Sequence, residues 1–318
     1  MQAQMLGDTA ATAQWLTVHP LSAEDSVAAS ALRAAGAAFK GKLGGTAARG
    51  PFDDVMQRVV APTDVTFETD TIGGIPGWWA KPARARKRAA IIHLHGGWFN
   101  FGSASAYRNL VGHIASSARA AAFIPEYRLA PEHPFPAAVR DAEACYRGLT
   151  DKGINTIAVT GDSAGGALAL VLLSITCARD YTGGVAPAGA VAISPVTDLA
   201  LTGESYLTRA EADPYFTKSQ VAGLVAAYLG KADPRNPLAS PLYGDLPDLS
   251  PVRVHVGDDE VLLDDARRYV KRAVAAGVDA TLDVWMGMPH GFVTGIREFA
   301  AARQAMNAIG EFLSERLS

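Results

Sequence analysis

The sequence predicts an α/β fold in which a mostly parallel, eight-stranded sheet is flanked by helices on both faces. The first observation is that short apolar segments typical of strands alternate with segments of helical periodicity. The apolar segments are residues 89–95, 120–125, 156–160, 188–193, 252–256 and 280–285, and the clearest helical ones are 136–149, 164–179 and 263–276. The second is an alternating stretch over 65–81, broken by Ile72-Gly73-Gly74, which predicts an antiparallel hairpin. Such alternation favours a parallel sheet covered on both faces.

Two segments fall outside this rhythm. Residues 1–55 are rich in alanine and amphipathic, and Ser22 with Asp25 forms a candidate capping box for a helix that would run to Gly41. The other segment lies between the strands at 188–193 and 252–256 and includes a helical stretch, 217–229. Connections this long are usually functional lids or inserted caps. We therefore expect an N-terminal appendage and an inserted cap beside a single large core.

Composition restricts the kinds of molecule that the protein is expected to bind. The 318 residues carry a formal net charge of -3, which provides no general field for attracting nucleic acid or anionic lipid. Residues 1–13 lack the basic start typical of a secretory leader, and no apolar run is as long as a membrane span. Cys145 and Cys177 lie in segments of helical spacing and are predicted to be free thiols. We expect a cytoplasmic protein that acts on a small molecule and binds neither nucleic acid nor membranes.

A candidate nucleophile lies where the strand at 156–160 gives way to a helix. Gly161-Asp162-Ser163-Ala164-Gly165-Gly166 has the G-x-S-x-G pattern of a nucleophile elbow in its required strand-to-helix context. A turn this tight needs glycine at its flanks, because a Cβ there would collide with the strand or the helix. The hydroxyl of Ser163 is therefore expected to point outward.

A serine nucleophile needs a base, and the base needs an acid to orient it. His290 is the candidate base because it lies in the loop between the last strand and the final helix. Asp258, Asp259 and Glu260 follow the strand at 252–256 and are the candidate acids. Carboxylates also favour helix starts without any catalysis, so spacing alone does not choose among the three.

Acyl transfer also needs donors for the oxyanion, usually backbone N–H groups. The N–H of Ala164 has the expected place after the nucleophile, and the loop after the strand at 89–95 offers Gly96, Gly97 and Trp98. Aromatic side chains in this loop and in the insertion are candidates for the substrate-binding wall: Trp98, Phe99, Tyr215 and Phe216. His93 and His95 share a strand face, but a metal site would need a third ligand, and none is near them in sequence.

Over about residues 60–318 the chain resembles the hormone-sensitive-lipase family of bacterial carboxylesterases. The motifs that carry the resemblance, in order, are His95-Gly96-Gly97-Trp98, Tyr127-Arg128-Leu129-Ala130-Pro131-Glu132, Gly161–Gly166, Glu260-Val261-Leu262-Leu263-Asp264 and His290-Gly291-Phe292. The family pattern acid-x-Leu-x-Asp implies Glu260 as the acid, where the family more often has Asp, with Asp259 as the alternative. Trp98 stands where the family usually has a third glycine.

The resemblance implies an α/β-hydrolase core at 56–202 and 231–318, with a helical cap from 1–55 and 203–230. It further implies a serine esterase without cofactor or metal, in which Ser163, Glu260 and His290 form the triad. Short to medium acyl esters, and also lactones, are the expected substrates. An amidase or peptidase of the same fold is the main alternative, and a non-catalytic ligand-binding receptor is another. A homodimer is a further hypothesis.

Overall fold

The computed structural model describes residues 14–318, so the first thirteen residues of the predicted N-terminal cap segment lie outside the described residues. The described residues form one nine-stranded sheet whose spatial order is β1-β9-β8-β7-β6-β4-β5-β3-β2. Its strands are β1 Leu16–His19, β2 Val65–Ile72, β3 Ile75–Pro82, β4 Ala89–Leu94, β5 Ala121–Pro125, β6 Thr156–Asp162, β7 Gly189–Ile193, β8 Val252–Gly257 and β9 Ala280–Trp285.

The sheet is mostly parallel, as the alternating pattern predicts, and only the β2–β3 hairpin introduces antiparallel pairs. All eight predicted strands are present, and β1 is an additional ninth. β1 pairs in parallel with β9, with Leu16 opposite Leu282 and Val18 opposite Val284. It lies within the segment predicted as cap helices. Because the pairing joins opposite ends of the chain, local periodicity carries no sign of it.

Helices cover both faces of the sheet. Their bounds are α1 Ala23–Gly36, α2 Arg49–Met56, α3 Arg108–Ala118, α4 Ala137–Asp151, α5 Ser163–Cys177, α6 Ser205–Thr208, α7 Lys218–Leu229, α8 Leu263–Ala275 and α9 Ala300–Arg316. α5 is apolar on nearly all sides and is almost wholly buried, as expected of a central helix in such a fold. Cys145 is a buried free thiol and Cys177 a partly buried one.

The first helix differs from its prediction. It ends at Gly36 rather than at Gly41, and the chain continues in a turn. Ser22 Oγ accepts the Asp25 N–H at 3.0 Å, which is one half of the predicted capping box. The Asp25 carboxylate instead accepts the N–H groups of Ala300 and Ala301 at the start of α9. Tertiary contact therefore takes the side chain that local capping would use.

The strands β6, β7, β8 and β9 are neighbours in the sheet, so their carboxyl ends lie side by side along one edge. In open α/β sheets ligands bind at this edge, where loops from different strands converge. Ser163, Ser194, Glu260 and His290 follow these four strands in turn. Within residues 14–318, no helix is both long and apolar enough to cross a lipid bilayer.

Candidate active site

Ser163 stands at the junction between β6 and α5 and is the first residue of the helix. Its φ is +53°, in the left-handed region that few residues other than glycine adopt. Holding a residue in such a conformation costs on the order of 1–3 kcal/mol and is characteristic of functional sites. The serine side chain is thus held in a strained turn at the carboxyl edge of the sheet, in the strand-to-helix context expected for a nucleophile elbow.

The glycines around Ser163 permit this turn. A Cβ on Gly161 would lie 2.2 Å from the carbonyl oxygen of Gly165, and a Cβ on Gly165 would lie 1.9 Å from the carbonyl oxygen of Leu94. Both distances are far inside van der Waals contact. The motif predicts small residues at these two positions. They are needed because α5 lies in direct contact with the neighbouring strands there.

His290 lies beside one of the three candidate acids. Its Nδ1 is 2.8 Å from Oε2 of Glu260, whose side chain is fully buried. The other oxygen of Glu260 accepts the Ser194 hydroxyl at 2.7 Å and the Gly257 N–H at 2.5 Å. Both carboxylate oxygens are thus hydrogen-bonded, which compensates for the burial of the charge.

The two neighbouring carboxylates have other partners. Asp259 pairs with Arg33 of α1 at 2.6 Å, and Asp258 pairs with Arg209 at 3.0 Å. These ion pairs join the loop after β8 to the N-terminal segment and to the inserted segment. Among the three carboxylates that the sequence leaves open, Glu260 is the one in contact with His290.

The surroundings of His290 are anionic. Burial lowers the pKa of His290, but the hydrogen bond that its ring donates to Glu260 and the negative charges of Glu260, Asp213 and Asp162 outweigh burial and hold the pKa above its ordinary value. The imidazolium form is therefore stabilised at this position. An imidazole in such surroundings is suited to take up a proton during a reaction.

The loop after β4 adopts an unusual backbone. Gly97, Trp98 and Phe99 have φ values of +118°, +52° and +61° in succession. The angle of Trp98 lies in the left-handed region open to any L-residue at a cost of about 1–2 kcal/mol, so a side chain is tolerated where the resemblance implies a glycine. Gly97 has no such freedom, because a Cβ there would lie 2.2 Å from the carbonyl oxygen of Phe101.

One predicted oxyanion donor is already engaged. The Gly96 N–H donates to Oδ1 of Asp162 at 3.0 Å, and Tyr107 donates its hydroxyl hydrogen to the other oxygen at 3.0 Å. Gly96 therefore fixes the loop to the elbow and is not free to meet an oxyanion, which corrects its place among the donors. Asp162 lies inside the elbow motif, but sequence reasoning missed that its side chain joins the elbow to this loop.

Two further residues, which sequence reasoning did not identify, hold the same loop in place. Asn100 donates from Nδ2 to the carbonyl oxygens of Trp98 at 2.5 Å and Leu224 of α7 at 3.2 Å. Arg49, the first residue of α2, donates from Nε to the carbonyl oxygen of Asn100 at 2.9 Å. The loop is thus tied to both segments predicted as cap. The position of Asn100 between two aromatic residues, Phe99 and Phe101, is the sequence signal that could have identified it.

The predicted aromatic wall is assembled only in part. The Phe216 ring lies edge-on to both the Trp98 ring at 5.3 Å and the His290 ring at 5.1 Å, which places it between them. Tyr215 is half-buried next to Phe216. The Phe99 ring instead stacks on Tyr228 of α7 at 3.8 Å, so it packs the loop against the inserted helix.

The strand histidines serve the packing behind the elbow. His93 Nδ1 lies 2.9 Å from the Thr160 hydroxyl, and His95 Nδ1 lies 2.8 Å from the carbonyl oxygen of Gly96. Burial lowers the pKa of His95 to about 4, which keeps it neutral. In the part of the chain that the structure describes, no three His, Cys, Asp or Glu side chains are arranged to hold a metal ion.

Fold and site together define a class, the hydrolases with an α/β sheet and a nucleophile elbow. A family model described as the alpha/beta hydrolase fold matches residues 91–294. The chain belongs to this family, and within it to the hormone-sensitive-lipase-type carboxylesterases. It is a carboxylic ester hydrolase.

The relatives agree with this assignment. The chain is 39% identical over 256 residues to an acetyl-hydrolase of Streptomyces hygroscopicus, covering 80% of this chain and 83% of that one. It is 34% identical over 244 residues to an esterase of Acinetobacter venetianus, covering 76% and 79% of the two chains. Among solved structures, an esterase from the bacterial hormone-sensitive lipase family is 39% identical with a TM-score of 0.86, covering 94% of this chain and 100% of that one.

Proposed function

We propose that the protein hydrolyses carboxylic esters through an acyl-enzyme formed on Ser163, with His290 as the base and Glu260 as the acid. The observation that carries the proposal is the 2.8 Å contact between His290 Nδ1 and Glu260 Oε2 at the sheet edge where Ser163 occupies its strained turn. Nucleophile, acid and base then follow in the chain order of this fold.

In the proposed mechanism, Ser163 Oγ attacks the ester carbonyl while Nε2 of His290 takes the hydroxyl proton. The imidazolium that forms is stabilised by Glu260, whose other oxygen is held by Ser194 and Gly257. His290 then passes the proton to the leaving alkoxide, and the acyl group remains on Ser163. A water molecule, deprotonated by His290, releases the acid and restores the serine.

The negative charge that develops on the carbonyl oxygen needs donors that are already in place. We propose the N–H groups of Gly97, Trp98 and Ala164. The positive φ values of the loop and the position of Ala164 at the start of α5 support this set. An N–H group survives any side chain but that of proline, so Trp98 can serve where the family has glycine.

For substrate, we propose esters with short to medium acyl groups, and also lactones. The Phe216 ring beside His290, with the Trp98 ring packed against it, limits the space available to an acyl group. The name acetyl-hydrolase of one relative agrees with a short acyl group. We further propose that the N-terminal segment after β1 and residues 203–230 form a cap over the site, supported by hydrogen bonds between them, such as that from Gly41 N–H to the carbonyl oxygen of Tyr215 at 2.9 Å.

The experiment is hydrolysis of p-nitrophenyl acetate and butyrate by the purified protein and by Ser163→Ala. We expect turnover by the wild type and less than about 0.1% of it in the variant, the scale of loss on removing a triad nucleophile. Ser174→Ala is the matched control, because that hydroxyl only bonds the carbonyl oxygen of Leu170 within α5. Retention of more than a few per cent of activity by Ser163→Ala would overturn the assignment.

The amidase alternative predicts comparable rates on an ester and on its amide. Comparing p-nitrophenyl butyrate with butyryl p-nitroanilide tests it directly, and we expect the ester to be favoured by several orders of magnitude. A ligand-binding receptor would turn over neither substrate. The cytoplasmic location and the homodimer also stay predictions, to be tested by fractionation and by light scattering.

A further inference from the structure

A second buried carboxylate lies close to the proposed triad. Asp213, between α6 and α7 in the inserted segment, is 0% exposed. Its Oδ1 accepts the N–H groups of Tyr215 at 2.8 Å and Phe216 at 2.9 Å, and its Oδ2 accepts the N–H of Val261 at 2.9 Å. The first two bonds are local to the turn, whereas the third joins the inserted segment to the loop after β8.

Two of the three partners of Asp213 stand next to a residue of the proposed triad. Val261 directly follows Glu260, and the Phe216 ring packs edge-on against His290 at 5.1 Å. One carboxylate therefore fixes the residue after the acid and the aromatic ring that contacts the base. Movement of Asp213 would displace both sides of the Glu260–His290 pair.

We propose that Asp213 is a positioning residue that keeps Glu260 and His290 in contact with each other. It also supplies a negative charge, in addition to that of Glu260, for the imidazolium formed during turnover. This inference rests on the proposed function and deepens it. The hydrogen bonds of Asp213 come from backbone N–H groups and not from Ser163 or His290, so it acts through Val261 and Phe216 and through its charge.

The bonding pattern requires a carboxylate rather than an amide. An asparagine could accept the two local N–H groups on its oxygen, but its amide nitrogen would then face the Val261 N–H, donor against donor. All three donors to Asp213 are backbone N–H groups, which bring no full positive charge with them. A need for local turn geometry alone would be met equally well by asparagine.

The charges that raise the pKa of His290 are those of three carboxylates: Glu260 of the loop after β8, Asp213 of the inserted segment and Asp162 of the elbow. Burial raises the pKa of the Asp213 carboxyl, and its three N–H bonds oppose that rise. While Asp213 is ionised it favours the protonated imidazole. Loss of this charge should therefore make His290 release its proton at lower pH.

The experiment compares wild type with Asp213→Asn in kcat, KM and the pH profile of kcat/KM on p-nitrophenyl butyrate. We expect kcat to fall about tenfold, or ~1.4 kcal/mol in the barrier. KM should stay within about twofold, and the acidic limb of the profile should move down by about 0.5 pH unit. Asp213→Ser, which is also neutral but smaller, should move the limb in the same direction.

Asp25→Asn is the matched control, because Asp25 is also buried and accepts two backbone N–H groups, but at α9 and away from His290. It should lower the melting temperature and leave the acidic limb in place. An unmoved limb in Asp213→Asn, or a shift equalled by Asp25→Asn, would overturn the inference. Failure of both Asp213 variants to fold would assign Asp213 to stability alone and also overturn it. The proposed function itself fails only if the wild type is inactive on esters or Ser163→Ala remains active.

Discussion

The Ser194 hydroxyl donates to Oε1 of Glu260 at 2.7 Å, on the side of the carboxylate opposite to His290. Ser194 follows β7 and Glu260 follows β8, so two adjacent strand ends bring them together. The contact leaves Oε2 free for the imidazole and fixes the orientation of the acid.

Ser194→Ala should weaken this support without removing the acid. Loss of one hydrogen bond to a buried carboxylate is expected to lower kcat about five- to tenfold, corresponding to ~1–1.4 kcal/mol. The measurement is steady-state turnover of p-nitrophenyl butyrate, with Ser174→Ala as the control. Unchanged kcat would show that Gly257 alone suffices to orient Glu260.

Variants of the two adjacent carboxylates, Glu260 and Asp259, should differ in activity, because only one of them is the proposed acid. Glu260→Ala should lower kcat by about 10³-fold or more, because His290 loses its orienting partner. Asp259→Ala removes a partly exposed ion pair with Arg33 and should cost about 1 kcal/mol of stability at most, with kcat nearly unchanged. Turnover and thermal melting of both variants test this, and the reverse order of kcat would transfer the role to Asp259.

The pH profile should reflect the anionic surroundings of His290. The base works in its neutral form, so activity falls as the pH drops through its pKa, which lies above the ordinary 6.5. We expect the acidic limb of kcat/KM to have a midpoint above 6.5 in the wild type. A profile that stays flat down to pH 5 would argue against His290 as the base.

Two helical glycines offer a matched test of the elbow. Gly165→Ala places a Cβ 1.9 Å from the carbonyl oxygen of Leu94 and should abolish activity or folding. Gly223→Ala lies in α7, where the new Cβ would meet nothing within 4 Å beyond its chain neighbours and the backbone of its own helix, and should raise stability by about 0.5–1 kcal/mol. Thermal melting and esterase assays of both variants test this prediction. An active and stable Gly165→Ala would contradict the close packing of α5 against β4.

Trp98→Gly tests the indole at the position where the family resemblance implies a glycine. The N–H is retained and the left-handed backbone is relieved, while the space of a buried indole is opened beside Phe216. We expect the rate on p-nitrophenyl octanoate relative to acetate to rise about tenfold, the scale on which pockets discriminate chain length. Trp98→Phe, which keeps a ring, should leave the ratio nearly unchanged, and an equal ratio in both variants would contradict the role of the indole.

Local patterns predicted most of the fold. All eight strands could be placed because periodicity and turn residues act within short windows of sequence. β1 and the end of α1 at Gly36 could not be placed in this way. β1 forms by pairing with the edge of β9. The Asp25 carboxylate accepts an N–H group at the start of α9 instead of completing the cap of α1. Both partners are far from these segments in the sequence.

The sequence alone determined the elbow around Ser163, the loop position of His290 and the candidate donor segment, because glycine spacing and strand-to-helix context are local properties. Only the tertiary structure decided which carboxylate meets His290, that Gly96 is bound to Asp162, and that Phe216 rather than Phe99 reaches the base. Each of these depends on where side chains from different strands converge, and a shift of a single residue along a loop redirects them. Such choices are made by packing and hydrogen bonding across the sheet edge, which no single segment of the chain contains.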